Sequence, residues 1–136
     1  MHFAERIQGV RLAIDTNRYA DLARGEASAI EVVERADEIW LPFIVLGELR
    51  TGFAAGTREA SNEAMLRRFL FETCKGILYA DDQTTHHYAR LNRQLRRQGT
   101  PVPTNDIWIA ALVLQHSLLL LSRDAHFDAL PQIMRV

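Results

Sequence analysis

Apolar residues in this chain follow two rhythms. Short runs, Val10-Arg11-Leu12-Ala13-Ile14, Ile39-Trp40-Leu41, Ile77-Leu78-Tyr79-Ala80 and Leu118-Leu119-Leu120-Leu121, are bounded by polar or turn-forming residues and predict strands. Between them, apolar positions recur at helical spacing. Helices are predicted over residues 18–23 and 27–36, separated by a stop at Gly25. Pro42 is expected to open the next helix, in the first-turn position that proline tolerates, and that helix runs to Gly56. Three more are expected over 58–74, 83–98 and 105–116, the second of them stopped at Gly99, with a last strand over 133–136. Strands alternating with helices predict an α/β fold whose mainly parallel sheet is covered on both faces.

In such a sheet, sites form beyond the carboxyl ends of the strands. Asp15 and Asp124 lie there directly, each just after an apolar run. The helix before the leucine strand must run antiparallel to it, so its N-terminus, carrying Asp106, falls at the same edge. Glu48 lies further along its own helix. There Val45, Leu46, Leu49 and Phe53 share an apolar face, and Glu48 flanks it beside Thr51, Gly52 and Ala55, whose small size leaves room for a metal and a substrate. Thr16 and Asn17, Asn105 and Ser122 are neighbours able to hold these carboxylates in one orientation. Two like charges about 4 Å apart repel by roughly 4 kcal/mol at an effective dielectric near 20, so four gathered acids call for a cation. Oxygen-only ligands favour Mg²⁺ or Mn²⁺.

Each acid also has a plainer reading. Asp15 and Asp124 are placed to cap the helices that follow them, Asp106 suits the first turn of a helix, and Glu48 has Arg50 nearby as an ion-pair partner. The four together are harder to explain that way.

The chain has 136 residues, 48% hydrophobic and 24% charged, which suits one domain over 1–136 with a real core and no disordered tract. The leucine run is far shorter than the roughly 20 residues a membrane helix needs. Met1-His2-Phe3-Ala4-Glu5-Arg6 lacks the apolar core of a signal peptide, so a cytoplasmic location and no membrane partner are expected. The single Cys74 leaves no internal disulfide or cysteine-based zinc site and reads as a small buried hydrophobe. A formal net charge of -1 argues against coating nucleic acid by bulk charge. All basic side chains except Lys75 are arginines, a bias that suits phosphate recognition and that a GC-rich genome also produces.

At the acidic segments the chain resembles the PIN-domain ribonucleases, and among them the small VapC-type toxins of VapBC toxin–antitoxin modules. The resemblance rests on Leu12-Ala13-Ile14-Asp15-Thr16-Asn17, Val45-Leu46-Gly47-Glu48-Leu49-Arg50-Thr51-Gly52, Pro103-Thr104-Asn105-Asp106-Ile107-Trp108-Ile109-Ala110-Ala111 and Leu120-Leu121-Ser122-Arg123-Asp124-Ala125-His126-Phe127, which occur in family order. It implies a three-layer α/β/α sandwich, Mg²⁺- or Mn²⁺-dependent endoribonuclease activity, an RNA substrate, a homodimer and a cognate antitoxin. Asp15, Glu48, Asp106 and Asp124 are then the catalytic and metal-binding set. Two departures stand out: several extra residues precede the first strand, and Arg18-Tyr19 replaces the aliphatic pair more usual after the tripeptide. The fourth acid is the least uniform in the family, and Asp128 is the rival to Asp124.

Carboxylates and a metal allow phosphodiester hydrolysis by a metal-activated water, with no side-chain nucleophile. In the helix around Arg90, the Tyr88-Leu91-Leu95 stripe faces inward, and Arg90, Arg93 and Arg97 lie nearly opposite, either as a track for an RNA backbone or as a solvated surface. No histidine is assigned as a ligand, although His126 follows Asp124 closely. Phe71 points away from the apolar face of its helix and is a candidate contact for an antitoxin or a second subunit. A haloacid-dehalogenase-type phosphatase also begins with an aspartate after a strand, but it needs a second carboxylate where this chain has Asn17. The remaining alternative is a catalytically silent PIN-like module that binds RNA or protein.

Overall fold

The computed structural model describes residues 9–136; the expected absence of a signal peptide concerns a segment outside them. The elements in chain order are β1 (Arg11–Ile14), α1 (Thr16–Ala23), α2 (Ala27–Arg35), β2 (Glu38–Pro42), α3 (Phe43–Ala55), α4 (Glu59–Glu72), β3 (Gly76–Leu78), α5 (Asp82–Gln98), α6 (Thr104–Gln115) and β4 (Leu119–Leu121), followed by a 3-10 helix, Ala125–Ala129. The four strands form one sheet in the order β3-β2-β1-β4, and each neighbouring pair is parallel. The α/β/α sandwich follows from this order. Connections from β1 to β2 to β3 step in one direction and the return from β3 to β4 steps in the other, so right-handed crossovers put the two sets of helices on opposite faces.

The core lies between these layers. Leu12, Ala13, Ile14, Leu41, Leu120 and Leu121 are fully shielded on the strands, as strands covered on both faces require. From the helices come Val45, Leu66, Leu91 and the nearly continuous run Ile109, Ala110, Ala111 and Leu112. Fully burying one leucine contributes about 1.5–3 kcal/mol, so the leucine strand is a large share of what pins β4 beside β1. Gly99 ends α5 with φ +69, the left-handed cap for which glycine carries no Cβ penalty. No helix among the described residues is long and apolar enough to cross a membrane.

Three expected boundaries shift. Pro42 closes β2 and sits at the N-cap of α3 instead of inside its first turn; its φ of -61 and ψ of 140 are extended, and its ring costs the strand only one amide donor. β3 spans Gly76–Leu78, leaving Tyr79 and Ala80 beyond it. The last strand is reduced to one bridge between Leu120 and Arg135, with Leu120 N donating to Met134 O at 2.8 Å and Val136 N to Leu120 O at 3.1 Å. Side-chain bonds from Arg135 to Asp124 O and to Asp128 hold this segment in place of a longer ladder.

Candidate functional site

The sheet has its topological switch point between β1 and β4, where chains leave in opposite directions and open a crevice. Asp15, buried, directly follows β1 at this point. It caps α1 through Oδ1, which accepts from Arg18 N at 3.2 Å, while Oδ2 accepts from the hydroxyl of Ser122 at the end of β4. Capping and site roles therefore use different oxygens of one carboxylate. The Asp15 amide in turn donates to Leu121 O at 3.2 Å, extending the β1–β4 ladder to the acid itself.

Asp124 N donates to Ser122 Oγ at 3.1 Å, and Asp124 Oδ1 accepts from His126 N at 2.9 Å, capping the 3-10 helix. Asp106 is the third residue of α6 and lies with its Oδ2 2.8 Å from His126 Nδ1, which is also 3.1 Å from Asp124 Oδ1. Glu48 does not pair with Arg50, which is bonded instead to Glu63. It is held by Thr16, whose hydroxyl donates to Oε1 at 2.5 Å, and by Asn105, whose amide donates to Oε2 at 3.2 Å. Glu48, Asn105, Asp106, Asp124 and His126 line an open cleft of about 430 Å³.

The charge in this cleft is poorly compensated. Burial pushes the Asp15 carboxyl above its ordinary value, against the stabilising bonds from Ser122 and Arg18 N. Burial likewise raises Asp106, opposed by the His126 bond. The charges of Asp124 and Glu48 push both upward, so the four acids act on one another electrostatically. Among the described residues, only His126 forms an ion pair with any of them. Donor atoms of Asp106, Asp124 and His126 lie within 4.8 Å of one another. Carboxylate oxygens with one imidazole, and carboxylates that no described arginine ion-pairs, fit a divalent cation.

One feature is only hinted at by the chain alone, and a second escapes it. The first is His126, which faces both acids through Nδ1; its place two residues after Asp124 was the available signal. The second is Asp21, whose side chain is 4% exposed and accepts from three arginines. Arg123 bonds it through Nε at 2.7 Å and Nη2 at 3.0 Å, Arg18 through Nη1 at 3.1 Å and Arg24 through Nη2 at 2.5 Å. Arg123 chiefly, with Arg18, holds the Asp21 carboxyl well below the usual carboxylate range. This clamp ties α1, which follows Asp15, to the segment between Ser122 and Asp124.

Other candidates stand apart. Asn17 is exposed on α1, and Asp128 is paired with Arg135. Tyr88, Leu91 and Leu95 do face inward on α5, leaving Arg90, Arg93 and Arg97 exposed and outside the lining of the acidic cleft. Cys74 is half-buried, and burial pushes its thiol up to about 12. Phe71 is 90% exposed on α4.

Known proteins share both sequence and shape with this chain. Ribonuclease VapC4 of Mycobacterium tuberculosis is 31% identical over 96 residues, 66% of this chain and 69% of that protein. The VapBC-5 toxin–antitoxin structure from the same organism superposes with a TM-score of 0.72 at 27% identity, covering 93% of this chain and 99% of the other. The DNA-bound VapBC structure from Salmonella typhimurium gives a TM-score of 0.83 at 22% identity, covering 93% and 97%, and supports the fold. The family model for the PIN domain matches residues 12–133, nearly the whole of the described chain. This chain belongs to the PIN-domain family.

Proposed function

We propose that this chain, a single domain, is a Mg²⁺- or Mn²⁺-dependent endoribonuclease acting in the cytoplasm as the toxin of a toxin–antitoxin pair. The observation that carries the reading is the convergence of Asp15, Glu48, Asp106 and Asp124 on one crevice, where no described arginine forms an ion pair with them. Asp106 and Asp124, with His126 beside them, are the residues to hold the ion, and Asp15 and Glu48 complete its charge. When bound, a divalent ion lowers the pKa of a water toward neutrality and offsets charge developing on the phosphate.

The chain's own residues supply orientation. Ser122 and the Arg18 amide fix Asp15, Thr16 and Asn105 fix Glu48, and His126 bridges Asp106 and Asp124. Such outer partners typically change metal affinity or activity by about 10–100-fold when lost. None of these groups is an activated side-chain nucleophile, which fits hydrolysis by water.

An antitoxin is the assigned protein partner, since the VapBC neighbours are toxin–antitoxin structures. A groove of about 470 Å³ between α1 and α4, lined by Tyr19, Leu22, Met65 and Phe69, is a surface for it, with a homodimer as the toxin's own assembly. The deciding experiment is cleavage of total RNA by purified protein with Mn²⁺, beside Asp15→Asn and Asp106→Asn. Both variants should be folded and inactive. Equal turnover by either overturns the site, and no cleavage by wild type leaves the silent binding module.

A further inference from the structure

The carboxyl edge of the sheet carries more than acids. Tyr79 directly follows β3, Phe43 follows β2, Asp15 follows β1 and Ser122 follows β4. Because the strand order is β3-β2-β1-β4, this edge reads Tyr79, Phe43, Asp15, Ser122 from one side to the other. Neighbouring strands lie about 4.8 Å apart, so the aromatic half of the row adjoins the acidic half within one or two nucleotides' reach. Phe43 and Tyr79 stack with ring centroids 6.3 Å apart and planes 23° apart, yet they remain 38% and 64% exposed. Neither packs against the core cluster.

Beside Phe43 opens a cavity of about 640 Å³ lined by Phe43, Gly47, Glu48, Thr51, Asn105 and Trp108, with Ile44. Trp108 on its lining stacks on Tyr88 at 4.1 Å between centroids. Glu48 and Asn105 line this cavity and the acidic cleft alike, so the two share a wall. Gly47 lies within α3, where glycine is disfavoured, and a Cβ there would meet nothing within 4 Å. The chain's own packing gives no reason for a glycine at this point; an added side chain would stand in the cavity.

We propose that this cavity receives the unstacked base of a single-stranded RNA nucleotide beside the phosphate that the acids engage, packed against the rings of Phe43 and Trp108. The proposal rests on the ribonuclease reading and adds to it the residues that hold a base beside the engaged phosphate. A base inside a duplex has both faces covered by its neighbours, whereas a loop or single strand offers a free face to an aromatic ring. A phosphodiester strand is also the occupant that continuity with the acidic cleft favours, because it carries a phosphate and a base within one repeat.

The test is binding of a fluorescein-labelled 2′-O-methyl hexaribonucleotide of mixed sequence in Ca²⁺ buffer, with probe integrity checked on a gel and a duplex of the same sequence as comparison. Phe43→Ala and Gly47→Leu should each weaken single-strand binding by about 5- to 100-fold, the range that loss of one base–aromatic stack gives. Phe43→Trp should keep it, and the duplex should bind weakly to all. Leucine is the better helix former and faces open space, so Gly47→Leu should melt no lower than wild type; the Phe43 pair decides the matter if it does. Unchanged single-strand affinity overturns the proposal. So does a change of oligomeric state in these variants by sedimentation, which would assign the face to a second copy of the chain. Mn²⁺-dependent cleavage by wild type against Asp106→Asn is read separately, so that failure of the ribonuclease reading is distinguished from failure of the base cavity.

Discussion

The hydroxyl of Thr16 donates to Oε1 of Glu48 at 2.5 Å, so the first residue of α1 fixes an acid midway along α3. Thr16→Val keeps the shape and removes the bond. RNA cleavage should fall by about 10–100-fold while the melting temperature hardly moves, and Thr16→Ser should restore activity. Full activity in the valine variant would show that Glu48 needs no such support.

Asp15 offers a test on stability. Its carboxyl is raised above the 3.8 of an ordinary aspartate, chiefly by burial, so the metal-free fold holds this proton to higher pH than the unfolded chain does. The native state then binds more protons in that interval, and stability falls as pH rises through it. Asparagine keeps an oxygen for the Arg18 amide and carries no charge. Without metal, Asp15→Asn should therefore melt at or above wild type at pH 7, with the gap closing toward pH 4. Added Mn²⁺ should raise wild type alone, by RT ln(1 + [L]/Kd). Calorimetry in chelator that finds wild type the more stable at pH 7 contradicts this account.

Asp21 has the opposite sign. With its carboxyl held below 3.8 by Arg123 and Arg18, it adds stability that is complete above that value and drains away as pH falls below it. Asp21→Asn leaves Arg18 and Arg123 short of their acceptor and should cost about 2–3 kcal/mol at pH 7. That corresponds to a melting temperature lower by roughly 6–15 °C. The deficit should narrow in acid. A deficit that is constant from pH 7 to pH 2 would assign it to packing instead of charge.

Arg90, Arg93 and Arg97 form an exposed basic face on α5. If RNA lies along it, replacing all three by Gln should flatten the plot of log Kd against log salt by roughly 0.7–0.9 per lost phosphate contact. An unaltered slope makes the face ordinary solvated surface.

What was readable in the chain divides along physical lines. Asp15 and Asp124 follow apolar runs and Asp106 begins a helix that must run back against one, so their meeting at a sheet edge follows from connectivity alone. The stripe of Tyr88, Leu91 and Leu95 and the stop at Gly99 are local periodicity and local φ preference, and both appear. Specific side-chain pairings between distant segments were not readable. Arg123 and Asp21 are 102 positions apart, and no local rule ties them. The last strand failed for a similar reason: Arg135 finds Asp124 O and Asp128, and those bonds shape the tail more than the β propensity of Ile133 and Val136 does. Pro42 misled by one position because the same φ suits the end of a strand and the first turn of a helix.

The bond from Ser122 to Asp15 spans 107 positions of sequence. β1 and β4 are the first and last strands in chain order, so β1 waits for every other strand of the sheet before β4 can pair with it. Contacts of such long range form late, after the loop between them has been closed. The acidic crevice is therefore incomplete until β4 docks beside β1, because Asp15 has neither Ser122 nor Asp124 beside it before then.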